Sequence, residues 1–168
     1  GLTIIVTDHH EVPFEIKNNE KKYLLPQVDA IINPKQADCS YPFKGLCGAA
    51  IAYKLVETLF NFLGKDLEEN VDDLLEHVAI ATVTDIMELT DENRILVKEG
   101  IKRLKRTKSL GLLSLYEAAG IIKDNIGTYH LGFIIGPLLN ATGRLEDATL
   151  ALDLLFAKNE QKAKSLAI

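Results

Sequence analysis

A chain of 168 residues, 47% hydrophobic and 26% charged, is long enough for one domain with its own core and short for two. Its 19 basic residues against 24 acidic ones leave a formal charge of −5, so there is no global basic footprint for nucleic acid. No apolar run approaches the ~20 residues that cross a bilayer, and Cys39 and Cys47 have neither zinc spacing nor the density of a disulfide framework; a reducing cytoplasm is the simpler reading. An anionic substrate is not excluded, because a divalent metal can supply positive charge locally.

"LTIIVT" (2–7) is short and β-branched, which predicts a buried parallel strand. "FEIKNNEKKYLLPQ" (14–27) reads as a polar excursion. "VDAIINP" (28–34) is a second strand closed by Asn33-Pro34, and 35–47 a loop carrying an exposed lysine. From Gly48 the period becomes helical: Ile51, Leu55, Leu59 and Phe62 share a face and Gly64 is a C-cap. A second helix is expected over roughly 68–86, with Val71, Leu74, Leu75, Val78 and Thr82 on one stripe. A third runs from Thr90, an N-cap with Asn93 three residues on, to about Arg106. A short fourth helix covers 109–118, followed by Gly120. The glycine-punctuated stretch 127–148 is expected to be irregular, and a last helix starts near Asp147, with 146–168 opening a long connecting helix.

Strands first and mostly helices after them indicate the later part of an α/β domain. The start at Gly1 and the helical pattern at the other end suggest a single partial domain over 1–168, a piece of a longer protein without a signal peptide.

Asp8, His9 and His10 follow the first strand directly, where open α/β sheets place ligands. Imidazole is the commonest metal ligand, and its second nitrogen needs a carboxylate or carbonyl to fix the tautomer. The triplet is either a metal or phosphate site or a surface turn. Asp85 follows the apolar run "HVAIATVT", and an unpaired carboxylate there would be costly. Its partner is a metal, a helix N-terminus or an arginine, or it is a structural aspartate with a hydrogen-bond partner.

"YPFKGLCGAA" offers Lys44 and a helix start at Gly48 where backbone amides can approach an anion, or where a helix packs tightly on the sheet. In "GPLLNATGRL", Asn140 and Arg144 either clamp a phosphate or tie down a loop. His77 reads as a surface or half-buried helix residue, and His130 as a local hydrogen-bonding group. The basic cluster Lys102, Arg103, Lys105, Arg106 and Lys108 is a solvated helix end or, as a minority reading, a nucleic-acid contact.

The segments "VTDHHEVP", "INPKQADCSYPFKGLCGAAIAYKL", "ATVTDIMELTDENRILVKEGIKRL" and "GPLLNATGRLEDA", in that order, resemble the DHH phosphoesterase superfamily. Within it they resemble the bacterial single-stranded-DNA-specific exonucleases, from Ile4 to about Leu155. The resemblance implies the C-terminal part of a DHH-type α/β domain. It implies catalytic roles for four residues: His9 as a ligand of a Mn²⁺ or Mg²⁺ pair, His10 on the scissile phosphate, Asp8 orienting the two, and Asp85 as a further ligand. It places Lys44, Gly48, Asn140 and Arg144 along the DNA phosphate path. The implied activity is 5′-to-3′ release of mononucleotides from single-stranded DNA in repair and recombination, with a helicase and a single-strand-binding protein as helpers and no membrane.

Two departures accompany the resemblance. The family's upstream aspartates, including an Asp-x-Asp pair, have no counterpart in the seven residues before Asp8, so these residues alone are expected to bind Mn²⁺ weakly and degrade no DNA. Leu138 stands where many such sequences carry arginine. The alternatives are a phosphodiesterase of the same superfamily acting on oligoribonucleotides or cyclic dinucleotides, and a non-catalytic DNA-binding scaffold.

Overall fold

The computed structural model describes residues 1–66, 74–145 and 148–167, with side chains for 1–66, 74–141 and 149–167. Strand β1 (Ile5–Thr7) pairs in parallel with β4 (Ala30–Ile32), Val6 opposite Ile31. The Asp8 N–H donates to the Ile32 carbonyl at 3.0 Å, which carries the ladder one residue past the end of β1. The parallel pair is as expected, but the burial is not. Ile5 remains more than half exposed because this sheet has only two strands among the described residues.

The polar excursion between those strands is an antiparallel hairpin, β2 (Phe14–Lys17) and β3 (Glu20–Tyr23). Its turn is Asn18-Asn19, both at positive φ (53° and 67°), the pairing that a two-residue hairpin loop requires. Phe14 and Tyr23 meet edge to face across the strands, and the Lys21 ammonium lies 4.4 Å from the Phe14 ring centre.

Helix α1 (Gly48–Phe62) ends at Gly64, whose φ of +65° lets Gly64 N–H reach Asn61 O and Lys65 N–H reach Phe60 O. Of its apolar stripe Ile51 is buried, whereas Leu55, Leu59 and Phe62 are exposed. Helix α2 (Leu74–Thr84) is the central spine. Val78 packs with Leu46, Cys47, Ala50, Ile51 and Leu96, while Ala79 and Ile80 face the larger core of Leu104, Leu112, Leu115, Leu131, Ile135 and Leu154. Being buried on two sides explains why its sequence is apolar nearly all round. Its predicted start near 68, with Val71, lies outside the described residues.

Helix α3 (Asp91–Leu104) crosses α2 closely, because a side chain at Gly100 would strike the Leu75 carbonyl and the Ala79 methyl. Thr90 precedes it in extended conformation but makes no side-chain cap. The expected Thr90/Asn93 pairing does not form, since the Asn93 amide donates instead to Gly45 O at 2.7 Å and Glu88 O at 2.9 Å, tying the loop before α1 to the loop before α3. Helix α4 (Leu110–Ala118) is capped by Ser109 and followed by Gly120 at positive φ.

The stretch expected to be irregular is helical: α5 (Thr128–His130), a π-helical segment (Leu131–Ile135) and α6 (Gly136–Leu145). Two of its glycines serve close packing rather than turns, Gly132 against Val83 and Gly136 against Thr84. Pro137 has no N–H and its ring crowds the carbonyl four residues back, which accounts for the widened turn just before α6. The long connecting helix is two short ones, α7 (Ala148–Leu155) and α8 (Glu160–Leu166); Asn159 starts the second by accepting from Lys162 N–H. The expected start near Asp147 lies outside the described residues.

Candidate metal centre

Asp8, His9 and His10 leave the C-terminal end of β1 together, and one ligand atom of each lies within 4.8 Å of the others. The Nδ1 of His10 donates to Asp8 Oδ1 at 2.7 Å. That hydrogen bond holds the Asp8 carboxyl below its usual range. It also fixes the His10 ring with Nε2 directed away from Asp8, on a side chain that is 76% exposed. His9 turns the other way and is largely covered, its ring 4.3 Å from that of His10.

The buried Asn33 supports this tip from β4. Its amide donates to the His10 carbonyl at 2.9 Å, and its Oδ1 accepts from the Lys35 N–H, also at 2.9 Å. The Lys35 ammonium pairs with Glu11 at 2.9 Å, so the two strand ends are stapled twice. From sequence, Asn33 read only as the end of a strand; its role depends on the parallel pairing, which periodicity does not reveal.

Asp85 stands at the end of α2, and its Oδ2 lies 3.5 Å from His9 Nδ1. That is long for a hydrogen bond. It is close to the ~3 Å expected between adjacent donors that each lie ~2.1 Å from one octahedral ion. An imidazole nitrogen facing carboxylate oxygens is a donor set that accepts a divalent cation such as Mn²⁺. The chain's turn after Asp85 is unusual: Ile86 has φ +56°, and Ile86 N–H and Met87 N–H close back onto Val83 O and Thr82 O. Glycine fills the corresponding position after α1 and α4.

Gly48 begins α1 against the His9 ring, where an added Cβ would meet His9 Cδ2 at 3.5 Å. Cys47, just before it, is buried and lies 3.3 Å from the Thr82 hydroxyl, joining the start of α1 to the last turn of α2. Both cysteines are free thiols. Thr84 donates to Ile80 O at 2.7 Å and packs against Gly136 so tightly that an added Cβ there would lie 2.5 Å from its Oγ1.

The remaining sites expected from sequence lie further off. The Lys44 ammonium donates to Cys39 O at 2.7 Å, tying its own loop. Asn140, exposed on α6, lines a groove of about 610 Å³ with Ala49, Thr84 and Gly136, so the groove walls include chain neighbours of Gly48 and Asp85. Arg144 is in α6, with its side chain outside the described set. His130 accepts from Gly127 N–H at 3.3 Å, the local bond its position suggested.

The strand ending in Asp-His-His and the helix start behind it fall within residues 1–82, which fit the model of the DHH family, N-terminal domain. Over those residues the chain belongs to the DHH family. Its relatives include the single-stranded-DNA-specific exonuclease RecJ of Bacillus subtilis, 41% identical over 99% of this chain and 19% of that protein. The RecJ of Haemophilus influenzae is 37% identical over 100% of this chain and 29% of that protein. Among solved structures, RecJ of Thermus thermophilus in complex with Mn²⁺ superposes with a TM-score of 0.77 at 30% identity, covering 99% of this chain and 23% of that one. The same organism's RecJ in complex with Mg²⁺ gives 0.70 at 30% identity over 82% of this chain and 21% of that one. The chain therefore spans less than a third of the length of these DHH-family relatives. No described helix is long and apolar enough to cross a membrane.

Proposed function

We propose that this chain supplies the histidine side of the metal centre of a Mn²⁺- or Mg²⁺-dependent 5′-to-3′ exonuclease acting on single-stranded DNA in repair and recombination. The observation that carries the reading is the 3.5 Å approach of His9 Nδ1 to Asp85 Oδ2, with Asp8 and His10 beside them. His9 and Asp85 would hold the ion. When bound, divalent metal lowers the pKa of a coordinated water and neutralises charge building on the phosphodiester.

The chain's own residues do the rest. Asp8 remains a carboxylate, accepts from His10 Nδ1 and so turns the ring's Nε2 outward, toward a non-bridging phosphate oxygen. Asn33 fixes the backbone at His10, and hence the direction in which that ring points. Gly48 backs the His9 ring, and Cys47 joins the start of α1 to the end of α2. Lys44, Gly48, Asn140 and Arg144 belong in this reading to the phosphate path; Asn140 is supported by the groove beside the centre. A helicase and a single-strand-binding protein would present the strand, in the cytoplasm.

The test uses these residues together with the family's upstream aspartates, with Mn²⁺ or Mg²⁺ and single strands labelled at one end or the other; these residues alone are expected to release nothing. Mononucleotides are expected from the 5′ end, with His9→Ala and Asp85→Asn slowed at least ~100-fold. Preferential release from oligoribonucleotides or opening of cyclic dinucleotides would move the protein to the sister phosphodiesterases. Full activity in both variants would overturn the site.

A further inference from the structure

The net charge of the chain is negative, yet one face of α3 is the opposite. Arg94, Lys98, Lys102 and Lys105 line a single groove of about 410 Å³ with Leu89 and Thr128, and no acidic residue contributes to its wall. The four basic residues recur at helical spacing over about 16 Å of axis. Lys102 is engaged by Glu99 at 2.7 Å. Arg94, Lys98 and Lys105 make no ion pair among the described residues. Three cations crowded into one cleft repel one another, an arrangement that favours an anionic occupant.

The neighbouring surface is aromatic. Thr128, on the far wall, opens α5, and the next residue, Tyr129, stacks on Phe133 with ring centres 5.3 Å apart and planes at 28°. Both rings are mostly exposed, 63% and 74%. Cations beside exposed flat rings form the combination that holds single-stranded nucleic acid, phosphates on the charges and bases on the rings. The groove is also near the metal centre along the chain. Leu89 is four residues after Asp85, a span of at most about 14 Å.

We infer that the α3 groove is a second nucleic-acid contact, a track for the backbone of a single strand away from the scissile phosphate, with Tyr129 and Phe133 as its stacking platform. The inference rests on the nuclease reading of the metal centre and deepens it. A strand anchored at two places stays engaged when its end nucleotide leaves, because rebinding at the centre is then intramolecular.

The experiment measures binding of fluorescent oligodeoxynucleotides to the full chain in EDTA, where hydrolysis is stopped, over a range of salt. The triple variant Arg94→Gln, Lys98→Gln, Lys105→Gln is expected to bind a long strand at least ~10-fold more weakly. Its log–log salt slope should be shallower by about 2, as loss of three phosphate contacts requires. The double variant Tyr129→Ala, Phe133→Ala should lose ~10-fold with the slope unchanged. All five side chains are on the surface, and matching melting temperatures will show that the variants fold. An unchanged slope and affinity in the triple variant overturns the track, as does an acidic peptide that competes as well as DNA does. The two readings separate cleanly. If Asp85→Asn abolishes cleavage while the triple variant binds normally, the centre stands and the track falls. If the triple variant flattens the slope while these residues joined to the family's upstream aspartates release no nucleotide with Mn²⁺, the track stands and the nuclease reading falls.

Discussion

Nδ1 of His9 and Oδ2 of Asp85 lie 3.5 Å apart, one at the tip of a strand and the other at the end of a helix. That is longer than a direct hydrogen bond, so a cation shared by the pair should draw the two elements together. Asp85→Asn is expected to weaken Mn²⁺ affinity by at least ~10–100-fold, measured by calorimetric titration of the full chain. Because the Asp85 side chain is 45% exposed, the melting temperature without metal should hardly move. Unchanged affinity would remove Asp85 from the centre.

Asn33 is the buried support of the same tip. Asn33→Ala leaves the Lys35 N–H and the His10 carbonyl without their partner and is expected to cost about 1–3 kcal/mol in urea unfolding. Asn33→Asp keeps an acceptor for Lys35 but sets an oxygen against the His10 carbonyl. It should therefore lower substrate turnover more than Mn²⁺ affinity, because His10 rather than His9 is displaced.

Ile86 ends the helix that carries Asp85 in a left-handed conformation that suits glycine. For a β-branched residue that conformation costs on the order of 1–2 kcal/mol, part of which glycine's extra unfolded-state freedom offsets. Ile86→Gly should raise the unfolding free energy by about 0.5–1 kcal/mol, and with it the midpoint, without changing the denaturant slope. The Ile86 side chain is 89% exposed, so little packing is lost. A lower midpoint would show that the turn stores no strain.

The Tyr41 hydroxyl donates to Glu92 at 2.7 Å, and Lys54 reaches the same carboxylate at 3.2 Å. Burial, with help from the hydrogen bond to Glu92, pushes the Tyr41 phenol up to about 12. A raised folded-state value stabilises the protein fully below the unfolded phenol's pKa of about 10, and that stabilisation is lost as pH rises towards 12. Melting curves between those limits should therefore fall less steeply for Tyr41→Phe than for the unaltered chain.

What could be read in advance followed local chemistry. The β-branched run before Asp8, the glycine after α1 and the apolar run leading to Asp85 each report their own neighbourhood, and each element stands where expected. The failures share a cause. Gly132 and Gly136 punctuate the sequence as turns do, but here they let α5, the π segment and α6 lie against Val83 and Thr84, a tertiary reason invisible in a window of neighbours. Asn93 looked like the partner of a Thr90 cap because of its spacing, yet burial recruited it to the carbonyls of Gly45 and Glu88. Asn18-Asn19 did carry a usable signal, since paired asparagines accept the positive φ of a tight hairpin. At the candidate centre, Asp8, His9, His10 and Asp85, which the structure brings together, were noticeable in the sequence by type; Asn33 was not, because its partner is chosen by strand pairing.

Among the described residues the parallel sheet has two strands and so two bare edges, and the outer turns of α1 present Leu59 and Phe62 to water. Such a surface is oily and short of hydrogen-bond partners at the same time. It governs how molecules of this chain meet one another. Concentrated or salted-out preparations should clump through that side, and detergents or added charge on α1 should keep them apart, whatever happens at the ion.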